Sequence, residues 1–555
     1  MFALIIPKQS NALPLYVHPD NEVLTFLDRM ATRGILERFL NDSYPLSRND
    51  VSGALQNIEF KKDKLSSSEK ELLRFYLSKF YHEIEGNRHS RLNDRETWWP
   101  GQNKSAFKTA LGDVFRYQPY EQSQDLIMHQ SKDAIVFLNL NENFCSENKN
   151  SSHRYIWTDH FEFSTSINKK LGIYVDATRF IQTYQEDYAE PSDSYHGGYL
   201  TKLDEGVEYY NYDFSHTYIN YLSVYGKFSL SNYPQKWGNS PNSMLLSGHS
   251  PAYPALQWSR DFGHSRYSFI HGFLLPAESS RDSLFNNKEY VSKYIVGHRW
   301  EISPYKWINI AFSEFIIYGN RSVEPTYLLP MIFLWSAQHN LNNRGNVLMA
   351  IEGELFPLPG LKLYGTFFLD ELKFSELFNQ WWANKQGYQA GLHVTPAQLP
   401  WSPDFRAEIT YIRPWTYTHE FDFSTFTHNG SGLGFPDGPN SFFVFIAARI
   451  RPSVRHLFEF KYRRLLEGQS ENIQDENGFI YPIGNDPNQN YNDRNPAFDY
   501  ATTWIMGEQL LTQQLSLSWT SMLTNVLHSR IELAHKSAKN GEKAFYYHFG
   551  LSFRY

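Results

Sequence analysis

Residues 346–372 (NVLMAIEGELFPLPGLKLYGTFFLDEL) alternate with period two on both sides of a tight turn at Pro357–Gly360. On the first arm Val347, Met349, Ile351 and Leu355 are apolar, and Asn346, Glu352 and Glu354 take intervening positions. On the second arm Leu361, Leu363, Phe367 and Leu369 alternate with Lys362, Tyr364, Thr366, Phe368 and Asp370. Period two puts the two sets on opposite faces of a sheet. Each arm runs about ten residues, the length at which a tilted strand crosses a bilayer.

The same unit recurs along the chain. Arg154–Ser164 and Leu171–Ile181 read as one hairpin, and further strands are expected at 217–230, 264–275, 290–302, 307–318, 387–396, 404–413, 441–450, 454–464, 511–521, 526–535 and 544–555. Residues 106–150 and 231–263 do not resolve into strands by pattern. Short connections, mostly rich in proline, stand at 303–306, 357–360, 399–403 and 451–453. Between them lie long connections that read as polar, at 276–289, 319–345, 373–386, 414–440 and 465–501. Outer-membrane barrels alternate short inner turns with long outer loops in this way, whereas a soluble sandwich or lectin has no need to. The expected fold class is therefore mostly β, a closed antiparallel transmembrane β-barrel. A soluble β lectin or sandwich is the runner-up.

Composition agrees. The 37 Tyr, 42 Phe and 14 Trp suit interfacial girdles, though carbohydrate-binding proteins are also rich in aromatics. No apolar run nears the roughly 20 residues of a membrane helix. Net charge is −7 with no basic block, which argues against nucleic acid as a partner. Cys145 is the only cysteine, so neither an intrachain disulfide nor a Cys-based zinc site is expected.

The start of the chain differs in kind. Residues 1–19 read as a signal-peptide remnant or an ordinary extension. Residues 20–88 form a helical bundle of about three helices: Val23, Leu24, Phe26, Leu27 and Met30 recur at helical spacing, and Ser47 with Asp50 and Ser66 with Glu69 mark helix starts. Residues 89–105 read as a linker and 106–555 as the barrel. At the other end Phe545, Tyr547, Phe549, Leu551, Phe553 and Tyr555 make one unbroken apolar face, a pattern common in the last strand of outer-membrane barrels. That pattern reads as a signal for the outer-membrane assembly machinery.

In Trp307–Tyr318 the apolar face switches parity, from Ile308, Ile310 and Phe312 to Phe315 and Ile317. A β-bulge near Ser313 that turns Glu314 inward is the expected explanation.

Several dispersed motifs resemble the Wzi family of outer-membrane capsule assembly proteins. They are Trp237-Gly238 with Ser243–Ser247 and Pro251–Pro254; His298–Glu301 with Ser313-Glu314 and Tyr318–Arg321; Leu363–Gly365 with Asp370; Tyr417–His419 with Asn429-Gly430 and Gly438–Asn440; and, near the start, Tyr44–Arg48 and Leu65-Ser66. The resemblance implies a monomeric barrel of about 18 strands in the outer membrane of a Gram-negative bacterium, with its helical bundle in the periplasm. It further implies a lectin-like, non-catalytic role in attaching or assembling capsular or related surface polysaccharide. A porin-like channel for small solutes is the alternative, and an outer-membrane hydrolase ranks third.

The residues add their own constraints. No nucleophile elbow, zinc-protease motif or phosphate-binding glycine loop is present, and no metal or cofactor is expected. A charge facing lipid at midplane costs roughly 2–4 kcal/mol for Arg or Lys, so Glu314, Glu352, Glu354, Asp370, Arg406, Glu408, Arg449, Glu459, Lys461 and Arg463 are expected as a lumen network pairing across strands. Sugar rings need flat apolar faces and hydroxyls need hydrogen-bond partners. The loop residues Trp381, Trp382, Trp415, Tyr417, His419, Tyr481 and Tyr491 are the candidate polysaccharide ligands, with an outer aromatic girdle as the competing reading for the tryptophans.

Overall fold

Eighteen strands close into one antiparallel barrel in the computed structural model. Described are residues 13–85, 117, 125–183, 199–203, 207–277, 291–342, 345–376, 379–469 and 480–554. Residues 1–12, the expected linker 89–105 and Tyr555 lie outside them. The strands are β1 (Ala134–Lys149), β2 (Ser152–Ile167), β3 (Leu171–Thr183), β4 (Val207–Ser223), β5 (Gly226–Asn232), β6 (Pro254–Asp261), β7 (Ser265–Leu274), β8 (Lys293–Tyr305) and β9 (Ile308–Gly319). They continue with β10 (Asn346–Leu358), β11 (Leu361–Glu371), β12 (Lys385–Val394), β13 (Asp404–Ile412), β14 (Ser441–Ser453), β15 (His456–Gln469), β16 (Glu508–Met522), β17 (Leu527–Ala538) and β18 (Lys543–Arg554). Each pairs with the next, and β18 closes on β1 from Tyr546↔Lys149 to Arg554↔Asn141. Closure pairs the backbone groups that an open edge would leave bare in lipid.

One end of the barrel carries the shorter connections, from 306–307 and 359–360 up to 395–403. The other carries the long ones, with two exceptions beside the seam: 150–151 and 539–542 are tight turns. Of the two stretches without a strand pattern, 106–116 and 118–124 lie outside the described residues. Residues 134–149 form β1, and residues 233–253 fold into the lumen between the short strands β5 and β6.

Before β1 come α1 (Glu22–Thr32), α2 (Arg48–Glu59), α3 (Ser67–Lys79) and the short α4 (Tyr81–Glu85). Ser47 with Asp50 and Ser66 with Glu69 make full capping boxes, as their spacing predicts. This helical part sits on the short-turn end. Thr32 carbonyl accepts from Gly360 N–H at 2.8 Å, and Arg29 donates to the Pro403 carbonyl at 2.7 Å. Lys306 pairs with Glu37 at 2.7 Å.

The interior has two storeys. Toward the loop end it is apolar: Trp237, Met244, Leu245 and Leu246 of the inward loop pack on wall residues Phe315, Ile317, Leu348, Phe368 and Phe443. Toward the short-turn end it is charged, and the wall charges pair with the helical part and the inward loop more than with neighbouring strands. Lys362 bridges Asp28 and Glu354, and Arg406 meets Asp28 at 2.8 Å.

The expected bulge near Ser313 is absent. β9 pairs regularly with β10 from Ile308↔Leu355 to Ile317↔Asn346, and with β8 from Ile302↔Ile310 to Lys293↔Gly319; the register shift between β8 and β9 lies at the short-turn end, between Ile302 and Tyr305. Phe315 and Ile317 point inward because the upper lumen is apolar, which is why the apolar face switched parity. Glu314 therefore points outward and leaves the expected lumen network. It is nonetheless only 1% exposed. The 320–342 connection folds back over the outside of the barrel, and Glu314 accepts the N–H groups of Leu334 (2.8 Å) and Trp335 (2.7 Å) at the start of α5 (Leu334–Asn340).

Asp28 ties α1 to the wall. Burial alone would raise its carboxyl, but Lys362, His393 and Arg406 outweigh this and hold it well below the usual carboxylate range. A depressed carboxylate contributes stability above its unfolded value of about 3.9, lost as pH falls through the depressed folded one. The Asp28 contribution to docking should therefore persist from neutral to mildly acidic pH and be lost only in strong acid. Asp28→Ala should cost about 3–5 kcal/mol by leaving buried cations short of a partner. Limited proteolysis of the helical part across pH, in both proteins, measures this.

Candidate functional site

The long connections of β11–β12, β13–β14 and β15–β16 meet over the loop end. Trp382 is the centre of a packed aromatic group. Its ring lies 6.1 Å from Trp415 and 5.2 Å from Tyr491, and the Arg494 guanidinium sits 3.9 Å above it. Trp381 flanks it at 6.2 Å, with Lys373 over its ring. Such cation–ring contacts are worth about 0.5–2 kcal/mol and fix the loops against one another.

The expected ring ligands divide on burial. Tyr417 is 2% exposed, and its hydroxyl donates to the Met244 carbonyl at 2.9 Å and accepts from Phe435 N–H at 3.3 Å. Its own N–H goes to Asp370 at 2.7 Å. Trp415 and Trp382 are buried too. These three cannot stack on a sugar in this arrangement: they are the interior and footing of the loop assembly, which needs apolar bulk where three connections converge. The period-free loop sequence gave no means of separating them from surface rings. Trp381, Tyr481, Tyr491 and His419 remain partly accessible. His419 touches Tyr491 edge-on, bonds the Ser424 hydroxyl at 2.7 Å, and its segment bridges Asn490. Burial, with help from Lys385, pushes its imidazole down to about 3, so it is neutral at physiological pH.

Beside this group opens a cleft of about 790 Å³ lined by Tyr481, Asn488, Gln489, Asn490, Asn492 and Arg494, with Asp422 and Asp493 at its edges. Internal bonds hold its floor. Asn488 donates to the Gly430 carbonyl at 2.8 Å, and Gln489 accepts from Gly484 N–H at 3.0 Å. Asn490 accepts from Asn492 N–H at 2.8 Å, leaving the Asn492 and Asp493 side chains exposed on the rim. Phe421 and Phe423 stack at 4.9 Å near the same edge. Asn492, Arg494 and the Phe pair were not foreseen, because a polar loop sequence carries no signal for which side chains meet.

The lumen residues fall as follows. Glu352 accepts from Asn239 N–H of the inward loop at 2.9 Å and pairs with buried Arg299. Glu354 holds Lys362 at 2.9 Å and Asn309 at 2.9 Å. Glu408 gathers Ser240, Asn242 and Tyr364. Arg449 reaches Glu22 of α1 at 2.8 Å and Glu459 at 2.9 Å, with Lys461 3.9 Å from Glu459. Arg463 pairs with Asp437 of the β13–β14 connection at 2.8 Å. A polar cavity of about 230 Å³ remains between α1, the inward loop and the wall.

Among the described residues, Cys145, Glu147 and His548 at the seam bring ligand-type atoms within 4.8 Å of one another. Glu147 is also paired with Arg154. Their separation of some four hundred positions hid the group from a reading by spacing.

A closed antiparallel barrel with short turns at one end, long loops at the other and an outward apolar surface is an outer-membrane β-barrel. Among solved structures the chain is similar to Wzi, described as an outer-membrane protein involved in Group 1 capsule assembly in Escherichia coli and a carbohydrate-binding β-barrel. The match covers 97% of this chain and 99% of that one at a TM-score of 0.58 and 11% identity. The fold is thus Wzi-like. Pseudomonas aeruginosa OprD (TM-score 0.41, 10% identity, covering 76% of this chain and 95% of that one) and OpdK with vanillate (0.42, 8%, 76% and 99%) align more loosely. No family model and no curated protein matches the sequence.

Tyr417→Phe tests the footing role. It strands the Met244 carbonyl and Phe435 N–H, and should cost about 1–3 kcal/mol. Thermal unfolding should register that loss.

Proposed function

We propose that the protein is a non-catalytic binder of capsular or related surface polysaccharide, held at the outer face of the outer membrane with its helical part in the periplasm. The observation that carries this reading is the cleft at Tyr481 and Asn488–Arg494. It offers a ring, amides and both signs of charge on the loop end, above an interior packed with Trp237, Met244 and Leu246. A sugar polymer needs such a mixture: a flat face for the ring and donors and acceptors for hydroxyls. Weak contacts suffice, because a repeating polymer engaging many copies gains by avidity. The Wzi likeness supports the fold on which the reading rests, and the periplasmic assignment follows the short-turn rule for outer-membrane barrels.

The test is binding of purified protein to surface polysaccharides on an array, alongside capsule retention by a deletion strain. Tyr481→Ala with Asn492→Ala should weaken binding by about fivefold or more, the loss typical of an interface anchor, without altering thermal unfolding. Unchanged binding would move the site elsewhere. Normal capsule retention in the deletion strain, together with a large stable single-channel current in planar bilayers, would replace the lectin reading by a porin.

A further inference from the structure

The connection between β9 and β10 was expected to be a polar surface loop, yet from Pro325 to Gln338 it carries no charged residue. Its inner side is packed. Tyr327, Leu334 and Ala337 bury against the outward-facing Tyr267, Phe269, Val296, Ile316 and Tyr318 of β7, β8 and β9. Polar contacts fix its position: Glu314 takes the first two N–H groups of α5, and the Tyr267 hydroxyl donates to the Pro330 carbonyl. Its outer side is bare and, Ser336 apart, apolar. Leu328, Leu329, Met331, Phe333 and Trp335 are all exposed, Met331 by 74%.

The depth of this flap follows from its anchor. Glu314 lies five residues before the end of β9 at Gly319, roughly 17 Å along an antiparallel strand. On the same outward face Phe312, Trp300 and Ile351 are exposed, so the flap's bare side continues the barrel's lipid-facing surface. Apolar side chains of this number in water would be costly, at about 25 cal/mol for each Å² exposed. Against hydrocarbon they cost nothing, and the flap's backbone polar groups are the ones that must be paired, as Glu314 and Tyr267 pair them.

We propose that residues 325–338 are a membrane-seated flap whose exposed side chains contact acyl chains of the outer leaflet, held there by Glu314. The inference rests on the outer-membrane reading. In such an element an apolar face lies in the plane of the membrane while the chain enters and leaves through polar ends, here Arg321 and Glu324 on one side and His339 on the other. An outward carboxylate at this depth is then tolerated because it is buried under the flap and bonded to two N–H groups rather than bared to lipid.

The experiment uses the full chain in phospholipid vesicles, with Cys145→Ser as background and a bimane label on Met331→Cys. Ile351→Cys serves as a lipid-facing reference and Asn492→Cys as a loop-face reference. Emission from position 331 should be quenched by nitroxide carried on acyl chains and little affected by iodide, as at 351 and opposite to 492. Adding Glu314→Ala should shift position 331 toward the iodide-accessible pattern. Quenching at 331 by iodide alone would overturn the proposal and place the flap in water. Protection from both quenchers would also overturn it and put a second protein copy against the flap. If position 351 itself escapes lipid quenching, the outer-membrane reading has failed rather than the flap alone.

Discussion

A strand in hydrocarbon has nowhere to send its N–H and C=O groups except another strand, so the ladder must run all the way round. Every other feature of the molecule is subordinate to that. The pairing of β18 with β1 joins residues near the two ends of the described barrel, and regular register is kept even where the sequence invites a slip, as beside Ser313. Given a closed wall, side chains alternate between two environments. The outer one is settled by the solvent, the inner one by whatever is folded into the bore.

What fills the bore here comes from far along the chain. Residues 236–237 of the inward loop pair as a short ladder with Ser43–Tyr44 of the helical part, and both lie among wall charges. Glu352, Lys362 and Glu408 are buried with partners from these two sources. Removing an ion from water is expensive unless pairing is nearly complete, so the charged storey is a constraint on position more than a reservoir of stability. The apolar storey above it supplies the packing, through Trp237, Met244 and Phe368 among others.

Period-two alternation, connection lengths and capping boxes made the barrel and the first helices readable, since each is local. The wall charges at 352, 354 and 362 were readable as inward for the same reason. Glu314 was not. Parity alone shows that a residue faces a given side, while the covering of that side by residues 325–338 is a tertiary fact. The burial of Tyr417 and Trp415 is likewise a tertiary fact: an aromatic in a loop is equally suited to a binding face and to the packing beneath one, and only convergence of three loops decides. Tyr481, on the open cleft, carries the same sequence signal as those buried rings.

The cleft beside Tyr481 opens broadly onto the surface, flanked by the exposed Asn492 and Asp493. Recognition there would read the interior of a polymer, not its terminus. A chain of n repeats can settle in about n registers, so apparent affinity would rise with chain length by RT ln n, with no new contact. A bound polymer could also step from one register to the next without leaving the surface. Retention of a long chain and its lateral movement over the cell would then be two aspects of one degenerate equilibrium.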